Sequence, residues 1–201
     1  MLWMLLLDPH KLLHDRSERH RVVSIEGTGI IKQMKAPSSV LTITQLLDQL
    51  GRKLVAQGQL LAVAESCTGG EFLAAASSKA GASEWLWGGW VVYSNRAKQK
   101  LGVPSGLIRQ HGAVSREAVA SLCACARSKS QASMAVSISG IAGPEGGTKE
   151  KPTGTVWIGT SYLETGQEQQ WRFYGDRKAI RVQASIAAAR MLLRLVEKDH
   201  E

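Results

Sequence analysis

A serine at the end of a predicted strand is the first candidate for chemistry. Residues 64–70 read AESCTGG and follow the continuous apolar run of residues 60–64, which is typical of a buried strand. Two adjacent glycines and an alanine-rich helix come next, so Ser66 lies on a strand-to-helix turn whose backbone N–H groups suit an oxyanion or a phosphate. Such a turn favours a serine nucleophile, although the GxSxG motif is absent. Cys67 is the alternative nucleophile, and a helix cap is the purely structural interpretation.

A serine nucleophile needs a base, and the sequence offers two kinds. His111 lies in a turn-like segment with no carboxylate nearby in sequence, so the sequence gives little support for a Ser-His-Asp triad. Lys98 follows Tyr93 by five residues, at the junction of a second predicted strand and helix. Burial lowers a lysine pKa and lets the amine act as a base. The structural alternative is a half-buried tyrosine and a solvated lysine.

A glycine-rich segment, SISGIAGPEGG at residues 137–147, is the third candidate. Its glycine spacing fits neither GxGxxG nor GxxxxGK[ST], which disfavours a dinucleotide site and a P-loop. A loop that leaves a strand with unhindered N–H groups can still bind an anion, and Lys149, Lys151 and Arg177 add positive charge nearby in sequence. A flexible surface turn is the alternative.

The elements that must position these residues follow from periodicity and turn signals. Residues 43–54 carry apolar side chains at helical spacing behind a capping box of Thr42 and Gln45. Further helices are predicted at 72–80, 95–100, 115–127 and, capped by Asp176, along the C-terminal stretch; strands are predicted at 60–64, 90–93, 134–138, 155–160 and 169–174. This order predicts an α/β fold with a mixed sheet, covered by helices and containing one antiparallel hairpin.

Composition excludes several classes of protein. The 201 residues are 44% hydrophobic and 21% charged, which is ordinary globular usage and argues against wholesale disorder. No apolar run approaches the ~20 residues of a membrane helix. Three cysteines, Cys67, Cys123 and Cys125, contain no CxxC pair. We therefore expect neither a disulfide framework nor a zinc site, no cofactor, and a cytoplasmic location.

The net charge of +8 raises the question of nucleic acid. The positive residues are scattered, and no zinc-finger or RNP-type motif is present, so nucleic-acid binding is not the main function that we predict. An anionic small molecule explains a mild positive bias equally well.

Residues 1–40 differ from the rest of the chain. They lack strong periodicity and match a secretory signal peptide poorly, since no basic residue precedes the short apolar stretch of residues 1–7. We predict a poorly ordered N-terminal extension at 1–40 and one domain at 41–201. Residues 1–33 are interpreted as an appendage ahead of a second usable start, Met34.

Six ordered segments resemble one known family: AESCTGG, VVYSNRAK, HGAVS, SISGIAGPEGG, KPTGTVW and GDR. The set is similar to the CinA C-terminal domain family over about residues 41–198, and within it to stand-alone nicotinamide-nucleotide amidohydrolases. The resemblance implies a three-layer α/β/α sandwich with a mixed, mostly parallel sheet. It also implies hydrolysis of the carboxamide of nicotinamide mononucleotide, which yields nicotinate mononucleotide and ammonia through a serine acyl-enzyme.

The resemblance also implies roles for individual residues. Ser66 matches the nucleophile, Tyr93 and Lys98 match its activating pair, and Ser139 and Arg177 match further site residues. The expected substrate-binding set is Thr68, Gly69, Gly70, Ser139, Gly140 and Arg177. A non-enzymatic, competence-associated interaction protein of the same fold is the alternative function. We expect a homo-oligomer that acts on a small-molecule nucleotide. The tryptophans at 85, 87 and 90 suit an interface and a core equally well, so they do not decide the oligomeric state.

Overall fold

The computed structural model describes residues 23–26, 30–33 and 41–198. Its strands are β1 (Val23–Glu26), β2 (Ile30–Gln33), β3 (Leu61–Glu65), β4 (Leu86–Val91), β5 (Met134–Gly140), β6 (Thr155–Tyr162) and β7 (Thr165–Arg172). Its α-helices are α1 (Ile43–Ala56), α2 (Glu71–Ala76), α3 (Asn95–Leu101), α4 (Ser105–His111), α5 (Arg116–Ser130) and α6 (Arg177–Lys198). A short 3₁₀ helix, Ala82–Glu84, precedes β4.

The strands form one mixed sheet in the order β2-β1-β7-β6-β5-β3-β4. Only β3 with β4 and β3 with β5 are parallel. The other pairings in the described sheet are antiparallel, so the expectation of a mostly parallel sheet is not confirmed. The reason lies in the connections: helices carry the chain from β3 to β4 and from β4 to β5, whereas a loop and a tight turn join β5, β6 and β7.

Both faces of β3 are buried, which accounts for its largely apolar sequence. Leu61 and Val63 belong to a hydrophobic cluster that α1, α2 and α6 complete. Ala62 and Ala64 belong to a second cluster with residues of α3, α4 and α5. The sheet therefore has helices against both of its faces, and the carboxyl ends of β3, β4 and β5 meet at one edge.

Most local predictions are confirmed by the hydrogen bonds at the helix ends. Thr42 and Gln45 form the predicted capping box of α1. Ser94 accepts from Ala97 at the start of α3, and Ser115 caps α5.

Four local predictions are wrong. β7 spans Thr165–Arg172 rather than 169–174, because Thr165 already pairs with Tyr162 across the tight turn. β4 spans Leu86–Val91 rather than 90–93, because Gly89 lies inside the strand, where a Cβ would overlap the Val63 carbonyl. α2 ends at Ala76 rather than Ala80, where the Ser77 and Ser78 hydroxyls donate to helix carbonyls. The turn-like segment around His111 is the last turn of α4.

The predicted extension at residues 1–40 lies mostly outside the described residues, and its poor order stays a prediction. The described part of it consists of β1 and β2. These strands pair with each other, and β1 pairs antiparallel with β7.

Candidate active site

Ser66 and Lys98, 32 residues apart in sequence, form a buried hydrogen-bonded pair. Ser66 follows β3 directly, and its backbone N–H donates to the Ile138 carbonyl at 2.9 Å. Lys98 projects from α3, and its Nζ lies 3.0 Å from the Ser66 Oγ. Ser66 is 6% exposed and Lys98 is 2% exposed. The structure therefore brings the predicted nucleophile and one predicted base into direct contact.

The surroundings of Lys98 suit a neutral amine that accepts a proton. Its Nζ also lies 2.9 Å from the Val92 carbonyl and 3.3 Å from the Tyr93 carbonyl. A neutral amine can donate to both carbonyls and turn its lone pair to the Ser66 hydroxyl. Burial lowers the pKa of Lys98, and only a weaker interaction with Cys67 opposes this effect. Within residues 41–198, no carboxylate pairs with Lys98 to hold its charge.

Tyr93 meets this pair through its main chain and not through its phenol. Its side chain is 61% exposed. Its hydroxyl accepts from the Arg177 Nη2 at 3.0 Å, and the Arg177 Nη1 donates to the Gly143 carbonyl at 2.7 Å. Tyr93 and Arg177 thus lie together at the rim, between the end of β4 and the loop after β5.

The turn after Ser66 was expected to offer free backbone N–H groups, and in the structure several of these groups are already hydrogen-bonded. Gly69 and Gly70 adopt φ of 62° and 95°, the left-handed region that glycine tolerates. The Gly69 N–H donates to the Ser66 carbonyl at 3.0 Å, so it is occupied. At the start of α2, the Glu65 carboxylate accepts from the N–H groups of Phe72 at 3.3 Å and Leu73 at 3.1 Å. The first turn of α2 therefore does not supply free donors.

Glu65 and Arg181 are two residues that the sequence reasoning missed. Glu65 is fully buried and fixes α2 relative to β3. Arg181 donates from Nε and Nη2 to the Thr68 carbonyl at 3.0 and 2.6 Å, and its Nη2 lies 3.4 Å from the Glu71 carboxylate. The available signal for Arg181 was its position four residues after Arg177, one helical turn away on the same face.

Ser139 and Gly140 both contribute to the packing of β5 against neighbouring segments. The Ser139 hydroxyl is buried and donates to the Ala113 carbonyl at 2.7 Å, which ties β5 to the HGAVS segment. A Cβ on Gly140 would lie 2.6 Å from the Val156 side chain, so glycine permits the close approach of β6. Lys151 holds the same segment through the His111 and Val114 carbonyls, at 3.1 and 2.8 Å.

The two rival residues are placed differently from the Ser66–Lys98 pair. Burial raises the pKa of the Cys67 thiol to about 12, so this thiol is protonated at neutral pH and is a poor nucleophile. The His111 Nδ1 lies 3.6 Å from the Glu117 carboxylate at the surface. Neither residue forms a nucleophile–base contact with Ser66 among the described hydrogen bonds.

The other surfaces in the described part of the chain provide less support for a catalytic site. A groove of about 490 Å³ between α1, α2 and the 3₁₀ helix is lined by Leu47, Gly51, Val55, Ala76 and Trp85, and none of the predicted site residues line it. Residues 41–198 hold no cluster of histidine, cysteine or carboxylate groups that could bind a metal ion. No described helix is long and apolar enough to cross a membrane.

The fold and this site define a mixed α/β protein with a serine–lysine pair at the carboxyl ends of its parallel strands. The family model of the CinA C-terminal domain matches residues 43–196, and the chain belongs to that family, as the ordered motifs implied.

Two curated relatives and one solved structure illustrate the similarity. "Nicotinamide-nucleotide amidohydrolase PncC" of Shigella flexneri is 45% identical over 153 residues, which cover 75% of this chain and 92% of the relative. The protein of the same name from Pseudomonas putida is 43% identical over 154 residues, covering 76% and 96%. A CinA superfamily protein from Klebsiella pneumoniae, known from its crystal structure, has a TM-score of 0.75 and 34% identity and covers 79% of this chain and 99% of that one.

Proposed function

We propose that this protein is a nicotinamide-nucleotide amidase that hydrolyses nicotinamide mononucleotide to nicotinate mononucleotide and ammonia through a serine acyl-enzyme. The observation that carries the proposal is the 3.0 Å contact between the Ser66 Oγ and the Nζ of a buried lysine. Relatives at 43–45% identity carry the name nicotinamide-nucleotide amidohydrolase, which supports the choice of substrate. The proposed architecture is a three-layer α/β/α sandwich, supported by the separate hydrophobic clusters on the two sheet faces.

The first half-reaction forms the acyl-enzyme. Neutral Lys98 takes the Ser66 proton directly, and the Ser66 Oγ attacks the carboxamide carbon. The tetrahedral intermediate carries an oxyanion, for which the N–H groups of Thr68 and Gly70 are the proposed donors because Gly69 is occupied. Arg181 holds the Thr68 carbonyl and so keeps this turn in place. Lys98 then returns its proton to the amide nitrogen as the C–N bond breaks, and ammonia leaves.

The second half-reaction releases the product. Neutral Lys98 takes a proton from water, hydroxide attacks the ester carbon, and the Ser66 oxygen leaves with the proton that Lys98 returns. Each proton is restored, and the net reaction consumes one water and produces one ammonia. The cationic pyridinium ring makes the carbonyl electrophilic and disfavours a protonated lysine beside it.

The rest of the proposed site binds the nucleotide. Arg177, exposed at the rim, suits the phosphate, since its guanidinium is a bidentate donor for such oxygens. Ser139 and Gly140 act by shaping the β5 end and its contact with the HGAVS segment.

Ammonia release from nicotinamide mononucleotide tests the proposal. We expect wild-type turnover and its loss in Ser66→Ala, with an unchanged thermal midpoint because a small turn residue contributes little packing. Ser128→Ala, an exposed serine on α5, is the matched control and should keep full activity. No ammonia from the wild type would favour the interaction-protein alternative, and full activity in Ser66→Ala would eliminate Ser66 as the nucleophile.

A further inference from the structure

We propose that the aromatic ring of Tyr93 binds the pyridine ring of the substrate and selects a flat, positively charged pyridinium over an uncharged ring. The Tyr93 hydroxyl, in this proposal, is not a proton relay. The inference rests on the proposed function and goes beyond it by giving the phenol a specificity role. It starts from a disagreement between the motif and the geometry. The motif pairs Tyr93 with Lys98, whereas the structure pairs the Tyr93 hydroxyl with Arg177.

The proton path does not need the phenol. The Lys98 Nζ already contacts the Ser66 Oγ at 3.0 Å, which is a direct transfer distance. Its other contacts to Tyr93 and Val92 are with main-chain carbonyls, which any residue type would supply. The Tyr93 hydroxyl accepts its hydrogen bond from an arginine, a group that cannot take up a proton from it at neutral pH.

Contacts at the main chain and at the hydroxyl nevertheless hold Tyr93 in place. Lys98 fixes its carbonyl, and Arg177 fixes its hydroxyl while also donating to the Gly143 carbonyl across the opening. The residue next to it in sequence, Val92, is 3% exposed, whereas the Tyr93 side chain is 61% exposed. Tyr93 thus offers an exposed ring whose hydroxyl is bound by Arg177 and whose main-chain carbonyl lies 3.3 Å from the Lys98 Nζ, the group that contacts Ser66. We infer that a ring placed in this way at the rim meets the substrate ring.

The charged side chains around Tyr93 indicate which form of the substrate ring, cationic or uncharged, its aromatic face prefers. The charged side chains that contact the rim and the turn are positive: Arg177 donates to the Tyr93 hydroxyl, and Arg181 donates to the Thr68 carbonyl. The Glu65 carboxylate is turned to the start of α2 and the Glu71 carboxylate lies against Arg181, so neither is placed to balance a cationic ring. The π face of Tyr93 can attract that cation without a carboxylate, whereas it offers an uncharged dihydropyridine only apolar contact.

Binding to an inactive background measures this preference directly. Ser66→Ala prevents turnover, so calorimetry can give the Kd of nicotinamide mononucleotide and of its reduced form, which has the same ribose phosphate and an uncharged ring. Adding Tyr93→Leu should raise the Kd of the oxidised form about three- to thirty-fold, the range of a cation–π contact, and change that of the reduced form less than about twofold. Trp87→Leu, an exposed aromatic residue on β4, is the matched control and should change neither value.

The kinetics of Tyr93→Phe distinguish a role of Tyr93 in binding the substrate ring from a role in proton transfer. Phenylalanine keeps the ring and removes the hydroxyl together with its contact to Arg177. In the Ser66→Ala background it should keep the preference for the oxidised form, and any fall in kcat should be much smaller than the factor of about 10² or more that loss of a relay would cost. The proposal is overturned if Tyr93→Phe loses that much kcat, or if Tyr93→Leu weakens both ring forms equally or neither. Failure of the wild type to release ammonia would instead reject the proposed function.

Discussion

Replacing Lys98 with methionine removes the proposed base and keeps a long unbranched side chain. The Lys98 Nζ is the group that hydrogen-bonds the Ser66 hydroxyl in the described structure, at 3.0 Å. His111 is paired with Glu117 and the Tyr93 hydroxyl with Arg177, so among residues 41–198 neither of these groups contacts Ser66 in place of Lys98. We therefore expect kcat to fall about 10²- to 10⁴-fold, which corresponds to about 2.7–5.5 kcal/mol of transition-state stabilisation.

The pH profile of the wild type should report the same group. Only the neutral amine accepts the Ser66 proton, so kcat/KM should rise with pH and level off above the pKa of Lys98. Burial lowers that pKa from its ordinary value of 10.5, so the rise should occur at a lower pH than the titration of an exposed lysine. Residual activity of Lys98→Met should lack this acidic limb.

Stability should change with pH in a matching direction. Folding disfavours the charged form of Lys98, so between its lowered pKa and 10.5 the unfolded chain binds more protons at this site than the folded protein. The cost of burying the charge is complete below the lowered pKa and disappears as pH rises to 10.5. The free energy of unfolding of the wild type, relative to Lys98→Met, should therefore increase with pH across this window.

Ammonia release, with nicotinate mononucleotide followed by chromatography, gives the rates, and urea unfolding gives the stabilities. Lys100→Met is the matched control, because Lys100 is exposed on the same helix and should affect neither rate nor pH profile. The reasoning fails if Lys98→Met keeps more than a tenth of wild-type kcat, or if its acidic limb persists. It also fails if His111→Ala abolishes the reaction.

Three other changes test the surroundings of the pair. Glu65→Gln should lower the free energy of unfolding by about 1.5–3 kcal/mol in urea, because it replaces two charge-assisted bonds at the start of α2; an unchanged midpoint would contradict that role. Cys67→Ala should keep kcat close to wild type, since its thiol is protonated with a pKa of about 12, and strong loss of kcat would implicate the thiol in the chemistry. A chain beginning at Met34 should fold and keep full activity because the site residues lie between 65 and 181; a fall of the thermal midpoint by more than a few degrees would show that β1 and β2 contribute to the fold.

Local signals explain why much of the architecture was predictable. The capping box of Thr42 and Gln45 and the apolar run of β3 depend on neighbours within a few residues, and each was confirmed. Prediction failed where tertiary contacts override local preference. The prediction of a strand at 90–93 places Gly89 ahead of that strand, yet in the structure Gly89 lies inside β4 and approaches the Val63 carbonyl closely.

The sequence by itself determined the family and the placement of Ser66, Tyr93 and Lys98 after predicted strands, because ordered motifs and apolar runs are properties of the chain. Only the tertiary structure decided which of them touch. The Ser66–Lys98 contact spans 32 residues, the Tyr93–Arg177 contact 84 and the Arg181–Thr68 contact 113. Such distances, and the burial that lowers the Lys98 pKa, are set by how α3 and α6 pack against the sheet. Local spacing carries no record of that packing, so it could name the candidate base but could not show that the phenol beside it faces an arginine.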